Sequence, residues 1–130
     1  MGTFNGEIFA GTQNFSESAE LWKSSDGVNW SLVTSLPAFN FPNNQREVTS
    51  IKDNNGELWV VFSSGNDDKG VSILKSTDGN NFTFNDNGSK FNSLGNNGEF
   101  GCTEFFFGNV FFGSKNFNPF DGTTSGGQLW

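Results

Sequence analysis

Nearly the same eight residues occur twice in the sequence. KSSDGVNW occupies 23–30 and KSTDGNNF occupies 75–82, fifty-two residues further along. Shorter echoes follow the same order: NGEIFAG at 5–11 returns as NGELWVV at 55–61 and, more loosely, as GNVFFG at 108–113. A period of about 50 residues is typical of a chain that repeats one supersecondary unit. The repeat therefore constrains the fold more than any single motif does.

The most complete unit, at about 47–85, predicts four short antiparallel strands. EVTSIKD is the first strand, and the NNG at 54–56 is a tight turn in which Gly supplies a positive φ. ELWVVFS, VSILKS and NFTFN are the next three strands, and TDGN is the turn between the last two. Apolar residues occur in runs or alternate, without helical periodicity. The sequence predicts an all-β protein.

The repeated turn has the pattern S-x-D-G-x-x-[WF]. Its Asp can accept hydrogen bonds from backbone N–H groups, its Ser can add a weaker bond, and its Gly takes a conformation that other residues resist. The aromatic residue packs against the strands. The motif residues are Ser24, Asp26, Gly27 and Trp30 in the first copy, and Ser76, Asp78, Gly79 and Phe82 in the second.

This pattern, once per four-stranded unit, resembles the Asp-box of the bacterial neuraminidase-type (BNR) repeat. The spacing has one residue fewer between Asp and Gly than the longer S-x-D-x-G-x-x-W form. The resemblance covers nearly the whole chain and implies a β-propeller, in which the Asp-box is a structural element at the blade periphery, away from ligand. We therefore expect a partial propeller of four-stranded antiparallel blades, about two and a half per chain.

We expect one domain, 1–130, with units at about 5–46, 47–99 and 100–130, the last incomplete. Only MGTF precedes the first echo, so we expect three, four and three strands in the successive units. Propellers typically need ~4–8 blades to close a ring, and open sheets leave edges that tend to pair. The expected partners are other copies of the chain, as a homo-oligomer, or the rest of a larger propeller. A compact sheet of another kind is the alternative.

Recognition is expected on the rim that carries the long, varied loops, because such loops on a rigid scaffold commonly bind ligands. Amide and carboxylate groups beside aromatic rings suit sugars or a protein surface, which predicts a lectin-like or adhesin-like binding propeller. The alternatives are that these residues only form turns and anchor loops, and that the chain is a structural unit for self-association. The candidate ligand-binding residues are Asn14, Phe15, Asn40, Phe41, Asn116, Phe117, Phe120 and Asp121.

Catalysis is not expected. The chain has no His, no Tyr and a single arginine, Arg46, whereas neuraminidase-type enzymes resemble one another in an arginine triad and a tyrosine nucleophile. A two-carboxylate glycosidase stays open, and so does calcium bound by acidic turns, but we predict no cofactor and no metal site. The carboxylates considered for catalysis are Glu47, Glu57, Glu99 and Glu104, and those considered for calcium are Asp53, Asp67, Asp68 and Asp86.

The net charge is −7, from 7 basic and 14 acidic residues. Binding to nucleic acid or to an anionic membrane surface is therefore not expected, and no apolar stretch reaches the ~20 residues of a membrane span. No targeting signal is visible, which leaves the compartment open, including use outside the cell. Cys102, the single cysteine, is expected to be a small buried apolar residue.

Overall fold

The computed structural model describes residues 1–14, 16–37, 46–63, 71–85, 97–107, 109–117 and 124–129. In these ranges all regular structure is β-strand and no helix occurs, so the all-β prediction is confirmed. It follows that the described chain has no helix that could cross a membrane. The strands are β1 (Gly2–Phe4), β2 (Glu7–Gly11), β3 (Leu21–Ser24), β4 (Ser31–Leu32), β5 (Glu47–Asn54), β6 (Glu57–Ser63), β7 (Val71–Ser76), β8 (Thr83–Phe84), β9 (Asn97–Phe106), β10 (Asn109–Phe117) and β11 (Thr124–Leu129).

The strands form three antiparallel sheets, each a meander in chain order. Sheet A has the order β1-β2-β3-β4, sheet B the order β5-β6-β7-β8, and sheet C the order β11-β10-β9. The four strands expected in the unit at 47–85 are those of sheet B. Each meander is local in sequence, because every strand pairs with the strand that precedes or follows it.

The expectation of three strands in the first unit is wrong. Gly2, Thr3 and Phe4 form β1, which pairs with β2 through Gly2–Phe9, Thr3–Ile8 and Phe4–Glu7. Three residues suffice here because Asn5 and Gly6 both take a positive φ and close a tight hairpin. Phe4 is also buried, so the short strand is fixed by packing as well as by pairing.

Sheet B lies between sheets A and C and contributes to two separate apolar cores. Side chains alternate between the two faces of a strand. In β6, Leu58, Val60 and Phe62 join a core with Phe4, Phe9 and Leu21 of sheet A. Trp59 and Val61, on the other face, join Phe112 of sheet C. The near-continuous apolar run of β6 is explained by burial on both faces.

Sheets A and B approach each other most closely where β1 and β2 meet β5. A Cβ at Gly2 would lie 2.5 Å from the Ile51 carbonyl oxygen, and one at Gly11 would collide with the Val48 side chain. Larger residues would push the sheets apart at these positions. Just beyond β2, the two sheets share main-chain hydrogen bonds, including one of 2.7 Å from Asn14 N–H to the Arg46 carbonyl.

Sheet C packs on sheet B mainly through β9 and β10. The Trp59 and Phe105 rings meet edge to face at 5.4 Å between centroids, and Lys52 lies 3.3 Å from Glu104. The expectation that Cys102 is buried is wrong: the thiol is exposed. Its strand neighbour Thr103 is the residue that faces sheet B, so the alternation of β9 turns Cys102 to the opposite side.

Candidate functional site

The two S-x-D-G turns close β3 onto β4 and β7 onto β8. In the second turn, Ser76 Oγ accepts the Gly79 N–H at 2.9 Å and donates to Asp78 Oδ1 at 2.9 Å. Asp78 Oδ1 also accepts the N–H groups of Asn80 at 2.8 Å and Asn81 at 2.7 Å. One carboxylate oxygen therefore accepts hydrogen bonds from three donors, as predicted for an Asx turn.

The first turn repeats these bonds with nearly the same lengths. Ser24 Oγ accepts the Gly27 N–H at 2.9 Å, and Asp26 Oδ1 accepts the N–H groups of Val28 at 2.8 Å and Asn29 at 2.7 Å. The hydrogen-bond pattern is set by the short sequence itself, because it is the same in two different surroundings.

An asparagine three residues after each Asp completes the turn, and the sequence pattern did not include it. The Asn29 amide donates to Asp26 Oδ2 at 2.7 Å, and the Asn81 amide donates to Asp78 Oδ2 at 2.7 Å. The signal was present, since VNW and NNF share that Asn. The turn is therefore better written S-x-D-G-x-N-[WF].

These bonds hold the pKa of both turn carboxyls well below the ordinary value. For Asp78 the largest cause is the Asn81 N–H, followed by the Asn81 side-chain amide, and for Asp26 it is the matching pair of donors from Asn29. Donors that favour the charged form lower the pKa of a carboxyl. Both carboxylates are committed to the turn, which agrees with a structural role.

The surroundings of the two turns differ. In the second turn, a Cβ at Gly79 would lie 2.9 Å from the Phe9 ring of sheet A, and Phe82 is only 6% exposed. Lys23 of sheet A donates to the Asn80 side chain at 2.8 Å, and Ser35 donates to the Asn80 carbonyl. The second turn is thus covered by sheet A.

The first turn has no such cover within the described chain. Trp30, which matches Phe82, is 37% exposed, and the nearest atom to a Cβ at Gly27 is Ile8 Cδ1 at 3.8 Å. Strand pairing places further apolar residues on the same side of sheet A as Trp30. We call this surface face A, and it consists of Ile8, Ala10, Trp22, Trp30 and Leu32.

The opposite end of the stack carries a second exposed aromatic surface. Phe106 is 62% exposed and Phe111 is 37% exposed. Phe111 lies between Val110 and Phe112, both of which pack on sheet B, so it points to the far side of sheet C. We call this surface face C, and it consists of Cys102, Phe106 and Phe111.

Most of the predicted ligand-binding residues lie outside the described ranges. Asn14 is described: its side-chain oxygen accepts the N–H groups of Ser16 at 3.0 Å and Glu17 at 3.1 Å, which forms a local turn. Asn116 and Phe117 belong to β10, and their side chains are not described. The residues outside the described ranges are Phe15, Asn40, Phe41, Phe120 and Asp121.

Three of the four carboxylates considered for catalysis have described side chains, and each accepts a hydrogen bond from a different residue. Glu47 accepts a hydrogen bond from Gln13 at 2.9 Å, and Glu57 accepts one from the Trp59 indole at 3.3 Å. The pKa of Glu104 is lowered, first by the hydrogen bond from Lys52, whereas a glycosidase general acid needs a raised pKa. Glu99 lies in β9, and its side chain is not described.

Metal ligation finds no support among the residues with described positions, since no three His, Cys, Asp or Glu side chains there form a group that could hold an ion. Asp53 accepts the Gly56 N–H at 3.0 Å and so caps its own turn. Asp67, Asp68 and Asp86, the other calcium candidates, lie outside the described ranges.

No protein-family model, curated protein or solved structure gives a match to this chain.

Proposed function

We propose that the chain is a non-catalytic structural unit that associates through faces A and C, as part of a stack of propeller-like blades. The observation that carries the proposal is that matching apolar positions of sheets A and B differ in burial. Ile8, Ala10 and Trp22 of face A match Leu58, Val60 and Leu74 of sheet B in strand pairing. The sheet B residues are fully buried, whereas those of face A are only half-buried.

Such a surface fits association better than a free monomer. Soluble monomers rarely expose contiguous apolar surface, and larger patches mark interaction sites. Face A carries two Trp residues, a type that is enriched in interface cores. Four-stranded meanders that stack face to face and carry an Asp-box-like turn also favour the blade interpretation.

Recognition of carbohydrate through the long loops stays a prediction. Five of the eight residues that would carry it lie outside the described ranges. Asn116 and Phe117 lie in strand β10 and not in the expected loop, and Asn14 uses its side-chain oxygen in a turn. Face A and face C, by contrast, consist of described residues.

The test is the mass of the particle by light scattering after size exclusion, for the unmodified chain and three variants. We expect the unmodified chain to form a discrete oligomer of the 14.2 kDa chain. Trp30→Ser on face A and Phe111→Ser on face C should each return the mass to that of one chain. The control Glu17→Gln, on an exposed segment between β2 and β3, should keep the oligomer.

Circular dichroism shows whether each variant remains folded. A folded, unmodified chain that has the mass of one chain at all concentrations would contradict the proposal. The proposal would also be contradicted if the variants Trp30→Ser and Phe111→Ser both remain folded and still form the oligomer.

A further inference from the structure

We infer that the partner is a second copy of this chain, and that face A of one copy packs on face C of the other. The inference rests on the proposed function and specifies its partner and orientation. Its basis is the contact between sheets A and B. That contact buries one surface of sheet B and one surface of sheet A. Face A corresponds to the buried surface of sheet B, and face C corresponds to the buried surface of sheet A.

One side of the buried contact is formed by sheet B together with the second S-x-D-G turn. Gly79 and Phe82 pack against sheet A. Face A presents the same elements in the same order, namely Gly27, Trp30 and the apolar strand residues, with Gly27 at φ 74° and Gly79 at φ 72°. Face A therefore has the shape of a surface that another sheet covers.

The other side of the buried contact is the hairpin of β1 and β2. Phe4, 2% exposed, and Phe9, 0% exposed, cover Gly79. In the hairpin of β9 and β10, Phe106 pairs with Asn109 as Phe4 pairs with Glu7, and Phe111 follows Asn109 at the spacing by which Phe9 follows Glu7. Face C thus presents the two rings that would cover the turn of face A.

The two turns at these hairpins also agree in backbone conformation. Phe107 takes φ 49°, and Asn5, at the matching position, takes φ 49° as well. A positive φ is uncommon for a bulky residue, so the hairpin of sheet C keeps the shape of the first hairpin despite an unfavourable side chain. This agreement places Phe106 and Phe111 on a scaffold like that of Phe4 and Phe9.

Contact between unlike faces either closes a ring or continues as a filament. The described ranges of each chain form three sheets, so two copies supply six, which falls in the range of ~4–8 blades of closed propellers. Three copies would exceed that range. The inference is therefore a two-copy ring with two equivalent contacts between face A and face C.

A thiol pair placed across the contact tests the orientation. Lys23 bridges Glu7 at 3.1 Å and Asn80 at 2.8 Å, so the side chains of Glu7 and Asn80 are close neighbours. Their counterparts across the inferred contact are Asn109 of one copy and Val28 of the other. Both are exposed, and we substitute each with Cys in a Cys102→Ser background, because the native thiol is also exposed.

The single variants Val28→Cys and Asn109→Cys are treated with a short bifunctional maleimide, separately and after being unfolded and refolded together. We expect covalent dimer from the mixture and little from either variant alone, a difference of roughly tenfold or more, because contact raises the local thiol concentration to ~mM. The chain with both substitutions should give covalent dimer and no larger species, as a two-copy ring requires.

Other results would overturn the inference in different ways. Strong cross-linking of either single variant alone would mean that like faces meet. A ladder of larger species from the double variant would mean a filament. No cross-linking, with an oligomer still seen by light scattering, would refute this contact and leave the proposed function standing. No cross-linking together with a one-chain mass would refute both, and the faces would then serve a different protein.

Discussion

The two S-x-D-G turns share their sequence and hydrogen bonds but differ in what covers them. Both Asp carboxylates organise the same donors, yet Phe82 is buried under sheet A and Trp30 is not. The difference separates the effect of the local sequence from the effect of packing between sheets. Local sequence determines the turn, whereas burial of its aromatic residue depends on the neighbouring sheet.

The largest expected contrast is between the aromatic residues of the two turns. Phe82→Ala removes a buried ring from the core shared by sheets A and B and should lower the free energy of unfolding by about 3–5 kcal/mol. Trp30→Ala should cost about 1 kcal/mol in the single chain, because the indole is already partly in water. Urea denaturation at low protein concentration measures both, and equal losses would contradict the difference in burial.

The glycines of the two turns should show a smaller contrast. Gly27→Ala and Gly79→Ala both place a side chain at positive φ, which costs about 1–2 kcal/mol. At Gly79 the new Cβ would also lie 2.9 Å from the buried Phe9 ring, which adds about 1–2 kcal/mol of overpacking. We therefore expect Gly79→Ala to have the lower urea midpoint. The reverse order would mean that sheet A does not cover the second turn.

Acid should affect the two turns alike, because the hydrogen bonds to the two Asp carboxylates are the same. The folded-state pKa of Asp26 and Asp78 lies below the ordinary value of 3.8, so their contribution to stability is full above that value and is lost as the pH falls below it. We expect the urea midpoint to decline between about pH 4 and pH 2. Asp26→Asn and Asp78→Asn should each make that decline shallower by a similar amount. An effect confined to Asp78 would show that the hydrogen bonds depend on burial.

Much of the fold was predictable because it is local. The strands of sheet B follow from alternating apolar residues and from turn residues, and the Ser and Asp roles follow from the chemistry of short side chains near backbone N–H groups. The sequence also contained the signal for Asn29 and Asn81, which both turns share.

The predictions that are wrong depend on contacts between distant parts of the chain. β1 was missed because its three residues carry little pattern, and burial of Phe4 against sheet B fixes the strand. The apolar segment around Cys102 predicts a buried thiol, but the two faces of β9 differ in what covers them, and the thiol is exposed. Faces A and C could not be predicted, for the same reason. The sequence pattern of their residues is that of a buried core, and only the packing of the sheets shows which residues are left exposed.

Faces A and C are expected to meet between copies as sheets A and B meet within one chain. The most direct measurement is the absolute mass of the unmodified chain by light scattering after size exclusion, over a range of concentrations. We predict a particle of two chains, each of 14.2 kDa, at the higher concentrations. A folded particle of one chain throughout would contradict it.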